Sequence, residues 1–271
     1  MSPRPVYSDL ETQISAERLE ALVRDLPHPV ALAGGHAVRW TVGEAWRERF
    51  GEDYFGSRDI DLAYQVEPAW TEDEFRASAA GQAPERIKAM KYEPHGMYRF
   101  RLLVDASGMI IKDEPAPPAI AGVDYAQLFL DPLMTAEHTM ARRVLGWQPL
   151  VEPLLAPVFR DRDRRRELTE LGSNVYLPSP GSLIATKLGH IEDRAGDKAL
   201  KDLCDIYALA AYGGTDAPML SLEIHDVLPD APRRVQLAIG HEHLRDACDH
   251  LDVRAQDYRA VVGPLAIRRA R

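Results

Sequence analysis

Short apolar runs set between longer amphipathic stretches give this chain its order of elements. Val30-Ala31-Leu32-Ala33 is a compact apolar run that stops at Gly34-Gly35, the pattern of a buried strand entering a tight turn. Ser15 to Val23 carries helical spacing, with Ser15 as N-cap, and Pro27 and Pro29 close it. His36 to Arg49 reads as helix, Phe50 to Arg58 as loop, and Ile60 to Val66 as the next strand. Trp70 to Met90 reads as helix and loop. Tyr98 to Val104 begins with strand alternation, and Ser107-Gly108 turns the chain into Met109 to Lys112 as a hairpin partner. Tyr125 to Leu130 is a further strand, and Thr135 to Gly146 a helix. Val175-Tyr176-Leu177 is β-like. Ser182 to Ile191 starts a helix, and Leu200, Leu203, Cys204, Tyr207, Ala208 and Ala211 give Lys198 to Tyr212 helical spacing before Gly213-Gly214. The remainder, through about Arg259, is helical and polar. A strand-rich first half and a helix-rich second half predict an α+β fold or a two-domain α/β one.

Composition narrows the setting. The chain has 271 residues, enough for one large or two smaller domains, and 45% of them are hydrophobic. Lys plus Arg total 33 against 42 Asp plus Glu, a net charge of −9. Bulk-charge binding of nucleic acid needs the opposite sign, so any such contact falls to a local patch. The one dense basic run is Arg160 to Arg166, and Asp161 and Asp163 halve its charge. It reads as a solvated loop, with an RNA contact as the sharper alternative. Two cysteines, Cys204 and Cys248, make no disulfide framework, and Met1 to Pro5 lacks a signal-peptide pattern. No stretch reaches the roughly 18 apolar residues of a membrane helix. A cytoplasmic protein without membrane contact is the expectation.

The chemistry concentrates in Asp59-Ile60-Asp61. Residues at i and i+2 of a strand share a face, so the two carboxylates stand side by side. Like charges so placed call for a cation between them. Hard oxygen ligands suit Mg²⁺, which binds through one or two carboxylates plus the phosphates of a substrate. Gly34-Gly35 upstream lets backbone approach those phosphates. The pair points to metal-assisted chemistry on a nucleotide.

Glycine turn and Asp-X-Asp strand together resemble the signature of the polymerase-β-like nucleotidyltransferase superfamily. More narrowly, Leu32 to Ala37 with Ser57-Arg58-Asp59-Ile60-Asp61-Leu62 resembles the AbiEii/MenT type of toxin nucleotidyltransferase. Leu177-Pro178-Ser179-Pro180 to Leu188 resembles that family's proline-containing approach to a helix bearing a key lysine, here Lys187. Lys201-Asp202-Leu203-Cys204-Asp205 resembles its Lys-Asp-X-X-Asp helix. These islands lie within residues 30 to 212. Two departures stand out. Between Gly35 and Asp59 lie 23 residues, so Val42 to Gly56 is an insertion such as a longer helix, and position 36 is His where the family has Thr or Ser.

The resemblance implies a nucleotidyltransferase-fold mixed sheet with flanking helices over 1–135, and a mainly helical domain over 136–271 that closes the nucleotide cleft. It implies one or two Mg²⁺ on Asp59, Asp61 and a third acid from a later strand. Asp105 is the first choice for that acid, Asp113 the second and Asp131 the third. Gly34, Gly35 and Ser57 would line the phosphates, with Lys187, Arg194 and Lys201 as cations on the triphosphate and Lys198 in the same cluster. Asp202 would orient those cations or take the acceptor's proton, with Asp205 beside it. The implied activity is transfer of a nucleoside monophosphate from an NTP to a hydroxyl of tRNA or protein, as the toxin of a toxin–antitoxin or phage-defence pair with a cognate antitoxin. A small-molecule acceptor, or a non-catalytic nucleotide-binding module, is the alternative.

Overall fold

The structure is a computed structural model that describes residues 9–24, 26, 28–105, 107–111, 125–172 and 174–268. Helix α1 (Asp9–Val23) leads into strand β1 (Val30–Ala33) and helix α2 (Gly34–Phe50). Strand β2 (Asp59–Tyr64) follows, then α3 (Glu72–Ala77), α4 (Ala79–Ala89), β3 (Glu93–His95), β4 (Arg99–Asp105) and β5 (Tyr125–Met134). Next come α5 (Ala141–Leu145), β6 (Leu150–Val151), α6 (Ala156–Arg160), β7 (Arg165–Glu167) and β8 (Val175–Pro178). Helices α7 (Pro180–His190), α8 (Gly196–Tyr212), α9 (Ala217–Val227), α10 (Ala231–Ile239), α11 (Leu244–Leu251) and α12 (Ala255–Val262) complete the described chain.

The strands form one mixed sheet, ordered β3-β4-β5-β2-β1-β8-β7, with β6 added on β5. β2 runs antiparallel to β1 and parallel to β5, while β1 runs parallel to β8. Helices flank this sheet, so the architecture is mixed α/β and compatible with α+β. A boundary at residue 135 would cut the sheet, because β7 and β8 come from beyond it and β8 pairs with β1.

Strand alternation separates core from site. Val30 and Leu32 share a face with Ile60, Leu62, Leu128, Leu130, Phe100 and Leu102, all buried in the main core. Burying one such Leu or Ile side chain contributes roughly 1.5–3 kcal/mol. On the opposite face Ala31, Ala33 and Ala63 meet Leu155 and Val158 in a second, small cluster, with Leu133, Phe159 and Tyr176 packed against it. That leaves Asp59, Asp61, Asp131 and Arg99 on a face that the helices do not fill.

Several elements differ from the sequence pattern. α1 is already helical at Asp9, so Ser15 is no N-cap; its hydroxyl bonds His36 Nε2 at 2.8 Å instead. The segment from Thr135 is not a long helix. β5 runs on to Met134, and Thr135 is pinned to β2's end by its N–H to Tyr64 O (3.1 Å) and by its Oγ1, which accepts from Val66 N (2.9 Å). Only Ala141–Leu145 turns helical there, closed by Gly146. Ile110 makes a single bridge to Val104 instead of a hairpin strand, and Lys112 lies outside the described residues. The arginine run is largely solvated but is not a loop: it closes α6, makes a short 3₁₀ turn over Arg162–Arg164 and enters β7. Arg164 is buried against Asp226 (2.5 Å), Arg160 pairs with Glu67 (2.8 Å), and Arg165 lies over the Tyr176 ring at 4.1 Å. These three arginines staple neighbouring segments, while Asp161, Arg162, Asp163 and Arg166 are exposed.

Candidate active site

The long spacing between the glycines and the acids is filled by α2, which starts directly from β1 and ends at Gly51 in the left-handed region (φ 76°). Gly34 has a φ of 57°, and a Cβ there would stand 1.8 Å from Asp61 Oδ2. A Cβ on Gly35 would stand 2.5 Å from Lys201 Nζ and 2.9 Å from Ser57 Oγ. Backbone therefore presses against both an acid and a lysine, an approach that side chains forbid. No side chain caps the N-terminus of α2. Its first N–H groups remain available at the positive end of the helix dipole. Ser57 Oγ donates to Asp59 O (2.9 Å) and accepts from Asp59 N (3.2 Å), which fixes the start of β2.

The acids come from neighbouring strands. Asp61 lies opposite Ala33 on one side and in register with Asp131 on the other. Asp131, third in order as a sequence candidate, is thus the acid brought to Asp59 and Asp61. Asp105 is not. It ends β4 opposite Tyr125, far along the strands from the Arg99 end, and its carboxylate accepts from Ser107 and Met109 N–H groups in a turn. That turn holds its pKa below the ordinary carboxylate value. Asp113 lies outside the described residues. The signal for Asp131 was its parity on β5, hidden because the strand's extension through Pro132 was not apparent.

Burial, then Asp131 and Asp59, push the Asp61 pKa up to about 7. Burial also raises Asp59, with Arg99 opposing and Asp131 adding. Asp59 Oδ1 is buried without a hydrogen-bond partner. Three carboxylates, one of them with an orphaned oxygen, offer hard donors of the kind Mg²⁺ takes. Among the described residues, however, no three of His, Cys, Asp or Glu stand together as a formed metal site. Arg99 lies against the acids: Nε donates to Asp131 Oδ1 (2.7 Å), a second guanidinium nitrogen bonds Asp131 Oδ2, and that nitrogen stands 3.5 Å from Asp59 Oδ2.

A wall of α7 and α8 faces this floor across a cavity of about 550 Å³, within the roughly 300–1,000 Å³ range of ligand sites. α7 starts at a Ser179 cap and Pro180, as the proline-containing segment predicts. Its Lys187 does not reach free into the cleft. Nζ donates to Asp202 (2.8 Å) and sits 2.6 Å from fully buried Asp205. Burial works to lower the Lys187 pKa, but Asp202 and Asp205 outweigh it and hold it above the ordinary value. Asp202 also faces Arg194 Nε at 3.1 Å, so it lies between two cations. Lys201 Nζ stands 3.2 Å from Asp205, which also accepts from Tyr54 OH (2.7 Å). Lys198 is exposed on the cavity rim. Helices α9 to α12 pack behind the wall, against α7 and α8.

His36 takes no part in the cavity. It is buried in the first turn of α2, against Ser15 of α1, and burial, then Lys201 and Arg39, lower its pKa to about 3. An unfolded His takes up its proton near pH 6.5 while the folded one does not, so its contribution to stability is full above that pH and falls as pH drops toward 3. Urea unfolding at about pH 7.5 and pH 5 should show wild type losing about 2 kcal/mol more than His36→Asn over this interval. Equal losses would rule out a buried neutral imidazole.

Compared with protein-family models, with curated proteins and with solved structures, the chain finds no match in any of the three. Among the described residues, no helix is long and apolar enough to cross a membrane.

Proposed function

We propose that this protein is a metal-dependent nucleotidyltransferase of the polymerase-β-like type, moving a nucleoside monophosphate from an NTP to a hydroxyl and releasing pyrophosphate. The observation that carries the reading is the placing of Asp59, Asp61 and Asp131 side by side on an open sheet face, at the uncapped glycine N-terminus of α2. Such transfer needs alignment and charge neutralisation more than covalent help. Asp59, Asp61 and Asp131 would hold Mg²⁺, which when bound polarises the phosphate and the attacking oxygen. The N–H groups of Gly34 and Gly35 bind phosphate oxygens, with Lys201 and Lys198 on the same side. The acceptor oxygen attacks the α-phosphorus as the bond to the bridging oxygen of pyrophosphate breaks. An acid of the cluster takes the hydroxyl proton. Lys187 shapes the wall through Asp202 and Asp205 and keeps Arg194 in place through Asp202, a positioning role instead of direct phosphate contact.

Incubation of the purified chain with α-³²P-labelled NTPs, Mg²⁺, total tRNA and cell extract tests this. Label on tRNA or on protein supports the reading and names the acceptor class. Label on a small molecule points to an antibiotic-type transferase. No label on anything, with nucleotide still bound, leaves a binding module and overturns the transfer reaction.

A further inference from the structure

Arg99 is a feature of the cleft that the transfer reaction does not explain. It follows Gly96 to Tyr98 at the start of β4 and lies across from Asp131, next to the Phe100–Leu130 pair. Its fork grips both oxygens of Asp131, and its Cζ lies over the Phe129 ring, 4.6 Å from the ring centre. The side chain is only 18% exposed. A bidentate, stacked guanidinium is held in one geometry, unlike a lysine at the same place. Arg99 is the cation that reaches two of the three carboxylates; Arg58 Nε adds only a longer contact, 3.8 Å from Asp59 Oδ1. Among the described residues, no cation stands within ion-pair distance of Asp61, and Asp59 keeps an orphaned buried oxygen.

We infer that Arg99 is the resident counter-cation of the acid cluster, and that a divalent cation binds by displacing its guanidinium from Asp59 and Asp131. This rests on the reading of the acids as metal ligands. The observed contacts carry it: the arginine uses the same carboxylate oxygens that a metal would need, and as placed the acids form no metal site. Arg99 keeps the strands carrying Asp59 and Asp131 together when no metal is bound. It also sets metal affinity against an intramolecular ion pair, so binding strengthens when that pair is weakened.

The probe is Mn²⁺ alone, followed by the loss of its free-ion electron paramagnetic resonance signal on the full chain, with no nucleotide and no turnover. Arg99→Gln is expected to bind Mn²⁺ about tenfold more tightly than wild type. Arg99→Lys, a point charge without the fork, should fall between them, and it carries the test if the Gln variant fails to fold. The rise in melting temperature on adding Mn²⁺ should be larger in both variants than in wild type. Wild-type Mn²⁺ binding with equal or weaker binding in both variants overturns the displacement while leaving the metal reading intact. No Mn²⁺ bound by any of the three overturns both.

Discussion

Asp59→Asn with Asp61→Asn is expected to abolish nucleotidyl transfer and, at neutral pH, to yield a chain at least as stable as wild type. The two effects share one cause. Asp61 is half-buried on the sheet face at the floor of the cavity, and desolvation there with its two acid neighbours raises its pKa to about 7. In the unfolded chain it titrates near its ordinary 3.8. Between roughly pH 4 and pH 7 the folded state therefore binds the extra proton, so stability contributed by this group is lost as pH rises through that window. An asparagine of the same shape carries no charge to desolvate and repels neither Asp59 nor Asp131. The gain is roughly 1–2 kcal/mol at pH 7, less than the shift alone would give because the amide is itself buried. In a chain of this size that is a rise of about 2–8 °C in melting temperature. Transfer, by contrast, loses the ligands on which alignment depends. Calorimetry at about pH 7 and the labelled-NTP assay measure the two sides. Retained transfer would sink the proposed site. Lost stability would sink the account of the acids as a like-charge cluster. His36 changes stability in the opposite sense over part of the same pH range, so single-site variants are compared at each pH.

How much of this was legible beforehand depends on the kind of signal. The β1 run, the Gly34-Gly35 break and the Asp59-Ile60-Asp61 alternation are local patterns, and each lies where the pattern puts it. The α7 start was legible because Ser179 and Pro180 act within one turn. Asp131 was not, because its membership depends on strand register between β2 and β5, which pairs residues 70 apart in sequence. Arg99 was invisible for the same reason, needing β4 in place beside β5. The arginine run misled because charge density in a sequence does not show partners: Asp226 and Glu67, which neutralise Arg164 and Arg160, are remote in the chain. Lys187 was legible only as a helix lysine; that it is buried, which an unpaired lysine would not tolerate, and what pairs with it come from the structure.

That pairing makes Lys187→Met the substitution with the largest expected effect on stability. Lys187 Nζ is buried between Asp202 and Asp205, and Asp205 has no exposed surface. Attraction to Lys187 and Lys201 outweighs burial and holds Asp205 below the ordinary carboxylate pKa. Removing one member of a buried ionic group leaves the other charge uncompensated, at about 3–5 kcal/mol. Here the loss should sit near the lower end, because Lys201 and Tyr54 still reach Asp205. About 3 kcal/mol lowers the melting temperature by roughly 6–12 °C. A partial rescue identifies the cause. Adding Asp205→Asn to Lys187→Met removes the stranded charge, so the double variant should be more stable than the sum of the two single losses by about 1–3 kcal/mol. Additive losses would mean that the two side chains do not act as a pair. If Lys187 instead served the triphosphate directly, Lys187→Met would leave stability unchanged and weaken only nucleotide binding. Urea unfolding of the four chains, together with nucleotide binding by those that fold, separates a lysine that builds the wall of the cleft from one that touches the substrate.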